Sequence, residues 1–382
     1  MNDAKQIPFN RPYMTGTELP TIADAHQKGR LSGDGEYTSR CHDWLQRATG
    51  TAAALLTHSC TAALEMSALL VEIKPGDEVI MPSFTFVSTA NAFALRGAQP
   101  VFIDIRPDTL NLDESLVEAA ITSKTRAIVP VHYAGVACEM DAINAIAEQH
   151  ELAVIEDAAQ GVLGSYKGRA LGTLGDLGSY SFHETKNVIS GEGGALLVNR
   201  EEWVEEAEII REKGTDRSQF FRGAVDKYTW KALGSSFLPG ELVAAFLFAQ
   251  LEAAERITAE RLSSWAHYHQ ALEPLELEGL LRRPVVPEHC QHNGHMYYVL
   301  LAEGIDRDWV LQTLSHAAIH AVFHYVPLHQ SPAGQRFCRT AGPMEHTEAL
   351  PEQLIRLPMW VGLELTDIRR VVAELEVAIK TQ

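Results

Sequence analysis

The chain has 382 residues, 46% hydrophobic and 21% charged, with a formal net charge of -18. That is the composition of an ordinary soluble globular protein with ample core, and the length suggests about two to three domains. So acidic a balance excludes a general nucleic-acid binder, which needs a basic face to neutralise phosphates, but leaves room for a local pocket for a small phosphorylated molecule.

Cys41, Cys60, Cys138, Cys290 and Cys338 are widely scattered and form no CxxC pair, which argues for a reducing compartment and against a disulfide framework or a zinc site. The start, MNDAKQIPFNRPYM, lacks an apolar signal region, and no run of eighteen apolar residues occurs. These features predict a cytoplasmic protein that does not span a membrane.

Taken in order, residues 1–20 carry Pro8, Pro12 and Pro20 and read as an extended arm. Gly33-Asp34-Gly35 marks a turn before a helical stretch at 41–45. Short apolar strands at 52–56, 78–81, 101–104 and 127–131 then alternate with helices at 60–71, 87–95, 114–121 and 140–150. This βα alternation predicts an α/β fold, a mainly parallel sheet with helices on both faces. A strand at 195–199, an acidic helix at 201–211, an irregular functional loop at 213–239 and a long helix at 241–265 follow. The remainder, with a short strand at 296–301, reads as a smaller α/β domain, so that the expected division is 1–248 and 249–382.

Residues 152–194 carry the most pointed chemistry. Ala153-Val154-Ile155 is an unalternating apolar run, the mark of a strand buried on both faces, and it ends in Glu156-Asp157. Ligands of open α/β sheets bind at the carboxyl ends of strands, so Asp157 stands where a buried carboxylate can meet one. A second strand, 179–182, gives way to His183-Glu184-Thr185-Lys186, with Gly191, Gly193 and Gly194 beyond. A lysine in such a turn can approach a ligand closely, and burial lowers its pKa toward a nucleophilic amine. Taken singly, a strand-end aspartate is often a helix cap and most lysines are solvated. The pair is what pyridoxal phosphate chemistry asks of a protein: a Schiff-base lysine and an acid for the pyridinium nitrogen.

Other segments add weaker signals. Thr57-His58-Ser59-Cys60-Thr61 lies between a strand and a helix, where backbone N–H groups and small hydroxyls suit a phosphate, although a plain Ser/Thr cap gives the same pattern. Phe84 and Phe86 follow the next strand, and either could stack on a flat ring or simply be core. His324, Tyr325 and His329 cluster in the C-terminal part as substrate-contact or structural residues; no third metal ligand stands nearby. The loop at 213–239 mixes Arg217, Arg222 and Lys227 with Phe220, Phe221, Tyr228 and Trp230, which suits an anionic ligand carrying a flat ring, although an exposed, solvated loop gives the same mixture.

Together SCTAAL, PSFTFVSTANA, PVHYAG, VIEDAAQ, SFHETKN, GEGG and HYVPLH resemble the DegT/DnrJ/EryC1/StrS family of sugar aminotransferases over nearly the whole chain. The resemblance implies pyridoxal phosphate fold-type I, the aspartate aminotransferase-like fold, in a homodimer whose active sites are shared. It also implies Lys186 as the Schiff-base lysine and proton shuttle, Asp157 on the pyridine nitrogen, Gln160 near the ring oxygen, Phe86 in the stacking position, and Cys60, Thr61 and Ser181 on the phosphate. The amino donor would be L-glutamate and the acceptor a nucleotide-linked 4-keto-6-deoxy sugar. SGDGEYT, VPVHYAGVACEMD, REKGTDRSQFFRG and VDKYTW look most like members that convert dTDP-4-keto-6-deoxy-D-glucose to dTDP-4-amino-4,6-dideoxy-D-galactose.

Two departures stand out. Where many members carry a phosphate-binding asparagine from the neighbouring subunit, this chain has Gly234-Ser235-Ser236-Phe237-Leu238, which the resemblance aligns with Ser236 or Leu238 at the asparagine; leucine cannot donate a hydrogen bond, so Ser236 or Ser235 is the expected substitute. The turn after Lys186 is also short, a feature able to alter sugar preference. Other readings are UDP- or GDP-linked keto-sugars, a dehydratase of the same family, in which histidine replaces the lysine, and a catalytically silent cofactor-binding protein.

Overall fold

The computed structural model describes residues 5–381, so the first four residues of the expected arm lie outside it. In chain order the strands are β1 (Ala53–Thr57), β2 (Glu78–Pro82), β3 (Gln99–Ile103), β4 (Thr125–Ile128), β5 (Ala153–Asp157), β6 (Ser165–Tyr166) and β7 (Arg169–Ala170). They continue as β8 (Leu177–Ser181), β9 (Gly194–Val198), β10 (Leu281–Arg282), β11 (Cys290–Gln291), β12 (Tyr297–Leu301), β13 (Arg339–Thr340) and β14 (Leu354–Leu357).

The large sheet has the order β1-β9-β8-β5-β4-β2-β3-β13. Every pairing from β8 to β13 is parallel, while β9 runs antiparallel to both β1 and β8. The exception has a local cause. β8 and β9 are joined by the turn at 182–193 with no crossover helix, and so short a link between neighbouring strands forces them antiparallel. That turn carries Lys186.

Strand alternation sends Ile80, Val101, Ile128 and Val154 into one apolar core and Val79, Met81, Phe102 and Ala127 into another on the opposite face. Both cores are covered by helices, which is why β2, β8 and β9 are buried along their whole length. A smaller sheet, β10-β12-β14, packs Tyr297, Val299, Ile355 and Leu357 into a third core. Its other face puts Tyr298, Leu300 and Leu354 against Phe84 and Tyr133 of the large layer, closing the space above the strand ends.

Two local expectations are corrected. The helix expected at 241–265 is two helices, Glu241–Leu251 and Ala254–Ala271, because the first packs on the large-sheet core and the second faces the small-sheet core. No glycine or proline marks that break, so tertiary packing alone sets it. A division after residue 248 accordingly falls inside a helix. The arm becomes helical at Glu18–Lys28, since Pro20 sits in the first turn, where its missing N–H costs nothing. Nor is the arm free: Ile7 bridges Ile319 and is buried in the small-sheet core.

The acidic stretch at 201–211 begins as a short 3-10 turn and continues as the helix Val204–Arg211, with Ala207, Ile210 and Arg211 buried. The loop at 213–239 includes one short helix, Arg217–Phe221, and is pinned by bridges Glu212–Ser236 and Thr215–Trp230.

Candidate active site

A cavity of about 630 Å³ opens at the carboxyl ends of β2, β5 and β8, a size suited to a cofactor or a drug-sized ligand. Its floor is made by Asp157, which is 5% exposed. Adjacent strand residues face opposite ways, and Asp157 and Glu156 divide accordingly. Asp157 Oδ2 accepts from Thr89 Oγ1 at 2.7 Å and Oδ1 from the Ala159 N–H at 3.1 Å. Glu156 turns to the far side, where its carboxylate accepts the N–H groups of Gly172, Leu174 and Gly175 at 2.7, 2.6 and 2.7 Å and sits 2.7 Å from His132 Nε2.

Lys186 lines the same cavity. Removal from water pushes its ammonium below the ordinary lysine value; the neighbouring Asp157 carboxylate pulls the other way, and the charge of Arg356 adds to the lowering. Part of its surface is still accessible, as a nucleophile lining a cavity requires. Its turn is tied down through Asn187, whose Nδ2 donates to Asn293 O at 2.9 Å and whose Oδ1 lies 3.1 Å from His295 Nδ1. Asn293 in turn donates to Gln160 O at 2.8 Å, linking the lysine turn to the turn after β5.

The helix Cys60–Leu70 points its N-terminus at the cavity, capped by Ser59, whose hydroxyl accepts from the Ala62 N–H. Thr61 Oγ1 lies 2.7 Å from Ser88 Oγ, and Cys60, Thr61, Ser88 and Ser181 all reach the cavity wall. The unsatisfied N–H groups and the helix dipole favour an anion there. The close approach of this helix to β9 requires glycine at 194, where a Cβ would stand 2.4 Å from Cys60 N. Burial pushes the Cys60 thiol up, so the group stays protonated.

Gln160 Oε1 accepts from the Ala134 N–H at 2.7 Å, which leaves its Nε2 for the Tyr325 hydroxyl at 3.3 Å and for the cavity. Phe86, 58% exposed, and Tyr325 bring their rings to 6.5 Å at the mouth. His324 is buried beside them; desolvation, with the charges of Arg356 and Lys186, holds its imidazole well below the usual value, hence neutral.

Of the residues singled out in the sequence, Asp157, Lys186, Cys60, Thr61, Phe86, Gln160, Ser181, His324 and Tyr325 meet around this cavity. His329 does not. Its ring is held between Ser83 Oγ at 2.8 Å and Glu348 Oε1 at 3.1 Å, a structural clamp rather than a cavity contact. Arg222 makes a two-bond fork with Glu208 on the exposed surface, and Lys227 is exposed. Neither lines the cavity of its own chain, and nor do Ser235, Ser236 or Leu238.

Sequence reasoning missed Thr89, which holds Asp157, and Asn10, His295 and Arg356, which line the cavity. The i, i+4 spacing of Thr85 and Thr89 beside a strand end was the one readable signal. Among the described residues no cluster of three histidine, cysteine or acidic side chains could hold a metal, and no helix is long and apolar enough to cross a membrane.

The profile of the DegT/DnrJ/EryC1/StrS aminotransferase family matches residues 12–376. An uncharacterized protein of Methanocaldococcus jannaschii is 33% identical over 373 residues, 96% of either chain. A putative sugar aminotransferase of Streptococcus pneumoniae, solved in its PLP-form, superposes with a TM-score of 0.90 at 25% identity, covering 98% of this chain and 99% of that one. DesI, solved in the presence of its TDP-sugar product, superposes with a TM-score of 0.88 at 28% identity, covering 98% and 93%. With the mainly parallel sheet and the cavity at its strand ends, these similarities make the chain a member of the DegT/DnrJ/EryC1/StrS aminotransferase family, built on the fold-type I architecture.

Proposed function

We propose that this protein is a pyridoxal phosphate-dependent aminotransferase that carries the amino group of L-glutamate to C4 of a nucleotide-linked 4-keto-6-deoxy sugar. The favoured pair is dTDP-4-keto-6-deoxy-D-glucose and dTDP-4-amino-4,6-dideoxy-D-galactose. The observation that carries this reading is the meeting of Asp157, a lysine of lowered pKa and a helix N-terminus ringed by hydroxyls in one cavity.

These residues fit the cofactor: a carboxylate for the ring nitrogen, N–H groups and hydroxyls for a phosphate, an aromatic face at Phe86, and an amine at Lys186. Pyridoxal phosphate, when bound, supplies an electron-poor ring that takes up the electron pair left when a proton leaves the carbon beside nitrogen. Asp157 would keep the ring nitrogen protonated, its own position fixed by Thr89 and Ala159. The lowered pKa of Lys186 raises its neutral fraction, so Nζ can act first as nucleophile and then as the base that takes the proton from the donor's Cα. In the second half-reaction the same Nζ delivers a proton to C4 of the sugar. Gln160 and Tyr325 would orient the ring and the sugar, and Phe9, Leu357 and Met359 help wall the site from water.

We read the assembly as a homodimer with shared sites. Supporting this are Phe86 at the cavity mouth and, in the loop at 213–239, Phe221 and Trp230, which are 64% and 76% exposed: large apolar side chains seldom left in water without a partner. Five free cysteines suit a cytoplasmic location.

The test is glutamate-dependent 2-oxoglutarate formation across a panel of dTDP-, UDP- and GDP-linked 4-keto sugars, with the amino sugar identified by mass. Highest kcat/KM with dTDP-4-keto-6-deoxyglucose supports the reading. Preference for another nucleotide replaces the substrate, and loss of a sugar hydroxyl without gain of nitrogen overturns the transamination.

A further inference from the structure

We propose that His295 and His324 form a hydroxyl subsite of opposite polarity, one ring nitrogen accepting and the other donating, which reads the sugar hydroxyl next to the reacting carbon. The inference rests on the transamination reading above and names what the sugar must carry. His295 stands just before β12, and its backbone is held on both sides: its N–H donates to Asn293 Oδ1 at 3.1 Å and its carbonyl accepts from Arg261 Nη2 at 2.6 Å.

The hydrogen bonds assign its tautomer. Asn187 Nδ2 donates to a carbonyl, Asn293 O, so Asn187 Oδ1 is the acceptor facing the ring, and His295 Nδ1 must carry the proton that spans the 3.1 Å between them. Burial, with the charges of Lys186, Arg261 and Arg356, holds the imidazole well below its usual pKa, so the ring is neutral and Nε2 is a bare lone pair. Only 8% of His295 is exposed, the residue lines the cavity, and among the described residues Nε2 meets no donor. A ligand that fills the cavity leaves this lone pair uncompensated unless it brings a proton.

His324 has the complementary arrangement. The Tyr133 hydroxyl is buried, has no other acceptor among the described residues, and lies 3.0 Å from His324 Nδ1; its proton therefore goes to that nitrogen, and the neutral ring carries its own on Nε2. His324 lines the cavity too, and both rings lie within electrostatic reach of Lys186, as His324 does of His295, which puts acceptor, donor and reacting amine in one part of the cavity. A carboxylate or phosphate has no proton to give a bare lone pair. A hydroxyl is donor and acceptor at once and suits both nitrogens. In a 4-keto-6-deoxy sugar the reacting C4 has two ring neighbours, C3 with a hydroxyl and C5 with a methyl. With C4 at Lys186 Nζ, the 3-hydroxyl is the group the pair can read.

The test uses the protein loaded with pyridoxamine phosphate and measures by calorimetry the binding of dTDP-4-amino-4,6-dideoxy-D-galactose and of its 3-deoxy analogue. Wild type should bind the 3-hydroxy compound about 10- to 100-fold more tightly. His295→Asn keeps an amide donor for Asn187 where Nδ1 stands but has no atom at Nε2, so the preference should collapse to about 3-fold or less. His295→Gln sets an acceptor oxygen where Nε2 stands and should retain most of the preference. A ring with only a structural role predicts the reverse, the Gln variant impaired and the Asn variant like wild type. That result overturns the proposal, as does a wild type that binds the two compounds equally. If the Asn variant unfolds, the Gln variant decides: folded but without the preference, it overturns the proposal, and with the preference kept it supports it. Failure of the function reading is a separate outcome: wild type would discriminate between the two compounds yet release no 2-oxoglutarate from L-glutamate.

Discussion

Thr89 Oγ1 donates to Asp157 Oδ2 at 2.7 Å, and because the hydroxyl has one proton, its 2.8 Å bond with Thr85 Oγ1 must be one it accepts. The chain Thr85 to Thr89 to Asp157 is buried throughout and fixes the carboxylate without neutralising it. Asp157→Asn should therefore retain bound cofactor but lower kcat by about 100-fold or more, since an amide cannot stabilise a charged ring nitrogen. Thr89→Val removes the bond donated to Asp157 together with the one accepted from Thr85, leaves the carboxylate itself in place, and should lower kcat by about 10-fold. Steady-state kinetics beside cofactor content checks both; equal losses in the two variants would mean that Thr89 does more than orient.

Lys186 gives two linked expectations. Lys186→Ala and Lys186→Arg should both lose about 10,000-fold or more in turnover and the absorbance of lysine-bound cofactor, the second because a guanidinium stays protonated. The other concerns stability of the cofactor-free protein. The pKa of Lys186 is lowered from 10.5 on folding, so below the folded value the native state carries a charge it disfavours, and that penalty shrinks as pH rises through the folded value and is gone above 10.5, where the lysine is neutral folded or unfolded. Lys186→Met should thus raise Tm, most at acidic to neutral pH, with the gain shrinking toward alkaline pH. A gain that grew with pH would reverse the sign of the shift.

Glu156 is wholly buried, and its two oxygens meet three backbone N–H groups and His132. Glu156→Gln puts an NH2 against donors, leaving at least one of them without an acceptor. Urea unfolding should show a loss of about 3 kcal/mol, with the midpoint falling and the slope unchanged. A loss below about 1 kcal/mol would show that the 172–175 turn finds other acceptors.

The sheet was readable because strands buried on both faces stand out as unbroken apolar runs, and Glu156-Asp157 at the end of one of them pointed to the site. The antiparallel β9 was not, since pairing direction depends on how the chain crosses over rather than on composition. The helix break before Ala254 was hidden for a related reason: each half is a good helix former, and only the two cores they cover tell them apart. Arg356 could not be found from sequence, because a lone arginine in a short strand 170 positions from Lys186 has no local signature. His324 and His329 looked equivalent, yet five residues on the chain turns toward Ser83 and Glu348, out of the cavity.

The loop at 213–239 bears the last prediction. Its cations and aromatic rings stand off the cavity of their own chain, with Arg222 held by Glu208 and Lys227 exposed, so under the shared-site proposal their ligand contact is made in a partner's site. Two variants separate the possibilities: Lys186→Ala, and Arg222→Ala combined with Lys227→Ala, the second first shown to be inactive yet dimeric. If sites are shared, a hybrid dimer has one site with both defects and one with neither. Random exchange of an equimolar mixture makes about half the dimers hybrid, and with one intact site in each, activity should return to about a quarter of wild type. A mixture that exchanges subunits, as shown by mass, and stays inactive would confine the loop to its own chain's chemistry. Recovery in proportion to the hybrid fraction would instead assign Arg222 and Lys227 to the neighbouring site, where the Glu208 pair must open for Arg222 to reach an anion.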